Sequence, residues 1–392
     1  MPVALRWLFC SLLLAAGLAG CGAPTAPAAA DTPAPASAPT TMLAPPTDAP
    51  TAVPTATRPF TPMPLSTVTQ TPTSTPSPTT APTATPTLHP MMIAAQRAQE
   101  YPGNDLTLVE ELTPGVSYRR YRAAYLSEGL RLYALLTVPN GERPAGGWPA
   151  IVFLHGYIPP VEYRLGQRYV AYVDRFARDG YVVLMPDLRG HDRSEGEASG
   201  AFGHPGYIAD VLNAVSSLAR YPEVDATRLG MWGHSMGGYL TLRAMVLSRE
   251  IKAGVIWAGV VAPYADLYTG WRRDRPAVGQ ALTPVPSPSP YPYARDWRGW
   301  AAEFGAPEEN PAFWEAISAN AFLSDLSGPL QLHHGTADDS VPFAFSEALQ
   351  AQVLAAGGEV EFYVYEGENH NLSGSLTLAL NRSAQFFDRH LK

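Results

Sequence analysis

Cysteine is nearly absent from this 392-residue chain: there are two, Cys10 and Cys21, and both fall within the first 21 residues. Whatever folds beyond them has no disulfide to staple it and no thiol nucleophile, so an ordinary hydrophobic core must hold it. Charge is also sparse. Asp, Glu, Lys and Arg make up 16% of the residues, the net balance is −8, and no basic stripe appears, which argues against a nucleic-acid partner. No internal repeat is visible. His333 and His334 adjoin in the sequence, but without further residues at metal-ligand spacing they predict no metal.

Proline, by contrast, is plentiful at 40 residues, and much of it lies early. From Ala23 to about Pro90 the chain is dominated by Pro, Thr, Ala and Ser, as in "TPTSTPSPTTAPTATPT". Proline fixes φ and removes backbone donors, so an extended, semi-rigid stalk is expected over 22–95. Before it stand Arg6, an apolar stretch from Trp7 to Leu18, and "LAGC" ending at Cys21. That is the three-part pattern of a secretory signal over 1–21, and small residues before a cysteine resemble a bacterial lipobox in which Cys21 is acylated. The alternative is an uncleaved membrane anchor over Val3 to Gly20. Either reading tethers the product outside the cytoplasm.

Residues 96–392 form the expected catalytic body, long enough for one sizeable core. "MMIAAQRAQEY" before it reads as a short helix that either docks on the body or ends the stalk. "RLYALLTVP" (131–139) and "PAIVFLH" (149–155) are β-rich runs separated by turn signals. Helical spacing in "VAYVDRFARDG" (170–180) precedes an apolar strand, "YVVLMPD" (181–187), and the alternation continues to the end of the chain. Apolar strands alternating with helices predict an α/β fold with a mostly parallel sheet covered on both faces, and functional residues at the carboxyl ends of the strands.

At one such end, "LGMWGHSMGGYL" (229–240) contains Gly233-His234-Ser235-Met236-Gly237, a G-x-S-x-G pattern between an expected strand and an expected helix. This context exposes a serine on a sharp turn and aims the new helix's amides at it, with the Met236 N–H placed to donate to an oxyanion. A serine needs a histidine to take its proton and a carboxylate to orient that histidine. "LHHGTADDSVP" supplies Asp338 and Asp339 just past one strand, and "YEGENHNLSG" supplies His370 just past the last. Asp338 is preferred as the acid and Asp339 as a loop or capping residue. His155, His333 and His334 suit packing roles or contacts that support the site residues from behind, and His234 is too close in the chain to turn back easily onto Ser235.

The body resembles the α/β-hydrolases of the prolyl-oligopeptidase family, through "GHSMGG", "PEENPAFWEAIS" (307–318), "HGTADDSVP" and "GENH". The resemblance implies a Ser235–Asp338–His370 triad, with the acid in the form D-x-x-V before Val341. It also implies a peptidase or esterase acting through an acyl-enzyme without a cofactor. "FLHGY" (153–157) occupies the place of a second oxyanion donor, which makes Tyr157 the candidate, through its backbone N–H or its hydroxyl. "MPDLRGHDRSEG" resembles a loop common in α/β-hydrolases, in which Asp187 and Arg189 are expected to brace rather than react. Peptidases of that family carry a β-propeller domain, whereas signal and stalk occupy the N-terminal part here, so a carboxylesterase acting on small or aryl esters is the alternative to a short-peptide peptidase. A non-catalytic surface binding protein is a third reading, against which the complete triad speaks. An insertion over 262–320 is expected to act as a lid, with Trp271, Tyr291, Tyr293, Trp297 and Trp300 as pocket walls and Arg272, Arg273 or Arg275 as anion contacts.

Overall fold

The computed structural model describes residues 88–198, 200–271 and 299–392. Cys21, the signal and nearly all of the stalk lie outside these residues, as do Arg272, Arg273, Arg275, Tyr291, Tyr293 and Trp297.

Nine strands form one sheet in the order β1-β2-β3-β5-β4-β6-β7-β8-β9. At one side β1 (Thr107–Leu112), β2 (Tyr118–Ser127) and β3 (Leu130–Pro139) pair antiparallel, and β3 meets β5 (Val182–Asp187) antiparallel as well. From β5 onward, β4 (Trp148–Leu154), β6 (Val224–His234), β7 (Ile251–Trp257), β8 (Leu330–Gly335) and β9 (Val360–Tyr365) are all parallel. The expected α/β-hydrolase architecture is thus present, with two antiparallel edge strands, β1 and β2, beyond the elements read from the sequence.

The period of two along each strand divides the core. Ala150, Val152 and Leu154 of β4 join one cluster, while Ile151 and Phe153 join the other; both sets are buried because helices cover both faces. The first face receives α3 (Gly206–Ala219), α4 (Met236–Leu247) and α8 (Ala344–Ala355), through residues such as Val211, Leu240 and Leu349. The second receives α2 (Val170–Arg178) and α9 (Leu376–Leu391). Val173, Phe176 and Ala177 of α2, and Ala379, Phe386 and Phe387 of α9, recur at helical spacing and are wholly or nearly buried. On that face Phe153 stacks on Trp232 at 4.3 Å, and Trp232 meets Trp257 at 5.3 Å.

Two expectations need correction. The stalk does not extend to residue 95. The body begins by Leu88, and α1 (Ile93–Arg97) docks on it with Met91 1% and Ile93 0% exposed. The anchor is Arg243 of α4, fully buried, whose guanidinium donates to Gln96 Oε1 (2.8 Å), to the Ile317 carbonyl (2.7 Å) and to the Met91 carbonyl. A buried cation needs hydrogen-bond acceptors, and of the three found here the arm supplies two.

Parts of the stretch 262–320 also belong to the body and not to a lid. Its described flanks are helices, α5 (Tyr264–Gly270), α6 (Trp300–Phe304) and α7 (Pro311–Ile317), followed by a 3₁₀ segment (Ala319–Asp325). Asn310 caps α7 by accepting from the Phe313 N–H, and Pro311 occupies its first turn. Leu267, Trp314 and Ile317 enter the core, so these flanks are part of the body. Trp300 packs in a cluster with His89, Tyr264 and Phe313 instead of walling a pocket.

Candidate active site

The carboxyl end of β6 runs directly into α4, and Ser235 stands at the junction with φ +55° and ψ −115°. A serine held there is strained, on the order of 1–3 kcal/mol. The turn persists because it is pinned: Ser235 N donates to the Trp257 carbonyl (2.9 Å), and Val260 N donates to the Ser235 carbonyl (3.2 Å). Both flanking glycines are sterically required. A Cβ on Gly233 would lie 2.2 Å from the Gly237 carbonyl oxygen, and one on Gly237 would lie 2.1 Å from that of Leu154. Met236 is the first residue of α4, so its N–H is among the donors a helix leaves unpaired at its start.

Asp338 follows β8 and His370 follows β9. Their contact is direct: His370 Nδ1 lies 2.8 Å from Asp338 Oδ2. The Asp338 side chain is fully buried. Its Oδ1 accepts from the N–H groups of Ser340 (2.8 Å) and Val341 (2.9 Å), and His334 Nε2 lies 3.0 Å from Oδ2. Burial alone would raise this carboxyl, but the hydrogen bonds from His334, His370 and Val341 outweigh it and hold Asp338 well below the usual carboxylate range. Facing an ionised carboxylate, His370 carries its proton on Nδ1 and leaves Nε2 as an acceptor. Asp339 is exposed and meets only the Ser340 hydroxyl.

A cavity of about 380 Å³ opens over these residues, and Ser235, Met236, His370 and Tyr157 all line it. Ser235 and His370 share that cavity without a hydrogen bond between them, a separation common in unliganded sites. Tyr157 is 44% exposed at its rim, on the loop that leaves β4. Trp271, the one expected insertion residue found here, also lines the cavity, where its Nε1–H donates to the Ser340 carbonyl (3.0 Å) and its ring meets Phe202.

One residue gave no sequence signal. Tyr169 adopts φ +59°, and its hydroxyl accepts from Gly156 N–H (2.9 Å) while lying 2.7 Å from His234 Nδ1. His234 Nε2 in turn is 3.0 Å from the His370 carbonyl. Burial, reinforced by the neighbouring His370 ring, pushes His234 down to about 4, so it is neutral near pH 7. The bonds then have one consistent direction: Gly156 N–H to Tyr169, Tyr169 O–H to Nδ1, Nε2–H to the His370 carbonyl. This chain ties the loop bearing Tyr157 to the loop bearing His370 through His234, the residue before Ser235.

The remaining sequence candidates sit deeper. Asp187 is buried and accepts from the Tyr163 hydroxyl (2.6 Å), and Arg189 pairs with buried Asp210 and with Glu128. His333 is buried between Gln331 and the Tyr365 hydroxyl, and His155 is buried beside the Gly156 carbonyl. Among the described residues no cluster of metal-ligating side chains occurs.

Comparisons with known proteins agree with this architecture. A family model described as "Alpha/beta hydrolase family" matches residues 151–379. Human dipeptidyl peptidase 8 is 25% identical over 274 residues, which cover 67% of this chain but only 26% of that protein. The "Uncharacterized peptidase YtmA" of Bacillus subtilis is 26% identical over 262 residues, covering 66% of this chain and 88% of that one. Among solved structures, the acylaminoacyl peptidase of Pyrococcus horikoshii matches with a TM-score of 0.55 at 22% identity, over 70% of this chain and 42% of that chain. The acetyl xylan esterase of Paenibacillus sp. R4 matches with a TM-score of 0.54 at 18% identity, over 76% and 92%. With its sheet, its serine elbow and the match over 151–379, this chain belongs to the alpha/beta hydrolase family, and its sequence is related to those of dipeptidyl peptidases.

Proposed function

We propose that the chain is a serine hydrolase that cleaves peptide or ester bonds of small substrates through a Ser235–His370–Asp338 triad. The observation that carries this reading is the 2.8 Å contact of His370 Nδ1 with buried Asp338, at the wall of the cavity that also holds Ser235. His370 Nε2 takes the Ser235 proton as Oγ attacks the carbonyl carbon. The carbonyl oxygen becomes an oxyanion, which the Met236 N–H and a donor from Tyr157 stabilise. Collapse of that intermediate expels the leaving group, which receives the proton from His370. Water, deprotonated by the same nitrogen, then attacks the acyl-enzyme, and the acid is released as Ser235 recovers its proton. Asp338 stays ionised throughout and stabilises the imidazolium. The chemistry needs no cofactor.

Relatives named as peptidases support a peptide substrate, and the aromatic side chains lining the cavity support an aryl or acyl ester as the alternative. The full chain, assayed on p-nitrophenyl acyl esters and on aminoacyl p-nitroanilides, decides between them. Ester turnover alone, lost in Ser235→Ala, makes it a carboxylesterase; amide turnover as well makes it a peptidase. Equal rates for wild type and Ser235→Ala would remove the triad assignment. The sequence pattern ending at Cys21 supports a lipid-anchored protein outside the cytoplasm, tested by whether Cys21→Ser abolishes membrane association.

A further inference from the structure

Fixed charge is scarce in the wall of the cavity over Ser235. Histidines aside, Arg168 is the one charged side chain among its described lining residues, and no Asp or Glu accompanies it. The rest of the wall mixes aromatic and apolar side chains, as at Tyr172, Phe202, Val260 and Trp271, with uncharged polar ones, as at Ser340 and Asn371. Other arginines nearby are engaged: Arg164 donates to the Val161 and Tyr163 carbonyls, and Arg175 and Arg178 pair with Asp179 and Asp174. Arg168 is exposed and makes no ion pair among the described residues.

Its placement is not that of a loose surface residue. The next residue, Tyr169, is held in the left-handed region, with its hydroxyl fixed by Gly156 and His234 and its carbonyl accepting from the N–H groups of Tyr172 and Val173 at the start of α2. The backbone carrying Arg168 is therefore anchored to the elbow's own neighbours. Its field reaches them too: burial pushes the Tyr169 phenol up, while the Gly156 hydrogen bond and the Arg168 charge act in the opposite direction.

We infer that Arg168 makes this an anion-selecting cavity, and that the ester or short peptide cleaved at Ser235 carries a carboxylate seated on the Arg168 guanidinium. A planar guanidinium matches a carboxylate through two parallel N–H donors. A substrate presenting a free amine instead meets a like charge and no acidic partner in the described wall. This inference rests on the hydrolase reading above and narrows it to acidic substrates. The carboxylate can stand on the acyl side or on the leaving group, and the test separates the two.

Two matched pairs of esters are assayed with the full chain, Arg168→Met and Arg168→Glu. p-Nitrophenyl hexanoate against p-nitrophenyl hemiadipate places the charge on the acyl side; phenyl hexanoate against 4-carboxyphenyl hexanoate places it on the leaving group. The quantity read is the ratio of kcat/KM for the anionic over the neutral member. In at least one pair the ratio is expected to fall by about tenfold in Arg168→Met and further in Arg168→Glu, and the pair that shifts identifies the side. Ratios equal within about twofold across the three proteins, in both pairs, overturn the inference. Absence of all turnover would instead count against the hydrolase reading. Calorimetric binding of adipate monohexyl ester to Ser235→Ala, with and without Arg168→Met, then still reads the cation: weaker binding without Arg168 supports the inference, and equal binding overturns it.

Discussion

A chain beginning at Gln99 should be markedly less stable than one beginning at Leu88, although the segment removed reads as the end of a low-complexity stalk. The deletion takes away Met91 and Ile93, each worth about 1.5–3 kcal/mol when fully buried. The entropy released by freeing the arm opposes that loss, but the deletion leaves Arg243 short of partners. This guanidinium would lose Gln96 Oε1 and the Met91 carbonyl and keep the Ile317 carbonyl alone. An under-satisfied charged group of this kind costs about 2–4 kcal/mol. For a domain of about 300 residues that corresponds to a fall in Tm of roughly 3–6 °C. Scanning calorimetry of the two chains measures it, and Arg243→Met supplies the control. In the chain from Gln99 this substitution should restore part of the lost Tm, because it removes the charge that has lost its partners; in the chain from Leu88 it should not. Equal melting of the two chains, or no difference in the effect of Arg243→Met between them, would refute the reasoning.

Asp338→Asn should leave the fold intact by circular dichroism and lower kcat by about 10³–10⁴, because an amide facing His370 Nδ1 no longer selects the tautomer that leaves Nε2 free. The same carboxylate links stability to pH. Its folded value is depressed below an unfolded value of about 3.9, so its contribution is fully present above about pH 4 and is lost as pH falls through the folded value. Chemical denaturation between pH 5 and pH 2 should show this loss, with a smaller slope in Asp338→Asn. Gly237→Ala, whose Cβ would lie 2.1 Å from the Leu154 carbonyl oxygen, should displace the elbow and abolish turnover, with a loss of several kcal/mol in urea denaturation, on the order of 3–5. Tyr169→Phe leaves the Gly156 N–H and His234 Nδ1 without the hydroxyl between them; a loss of about 1–3 kcal/mol is expected, together with a lower kcat.

The parallel half of the sheet was legible because each of its strands is a short apolar run followed by a turn signal and a helical period. Ser235 was legible for a local reason, since the glycines that a sharp strand-to-helix turn requires stand two residues to either side of it. Asp338 and His370 could be named because each sits just past a strand. Elsewhere local signals gave out. In β1, "TLVEEL" is an almost wholly exposed edge strand, so its pattern resembles a loop. α1 could be read as a short helix, but whether it docks was not legible, because its anchor is Arg243, about 150 positions away in the chain. Tyr169 has a side chain that ordinarily avoids positive φ, so nothing in its type announces the turn it makes. The contact of His234 with the His370 carbonyl spans 136 positions and follows from the adjacency of loops that only the completed sheet creates.

The order of the strands has a temporal consequence. Ser235 follows β6, but its proposed base, His370, follows β9, the last described strand in sequence and an edge of the sheet, and α9 then covers one face. A chain growing from its N-terminus displays the serine elbow well before it holds a histidine able to activate it. Parallel pairing at long sequence separation forms slowly, so β9 completes both the sheet and the chemistry in one step. On the proposed triad, a polypeptide interrupted anywhere before His370 carries the serine without its base, whatever compartment it occupies at the time.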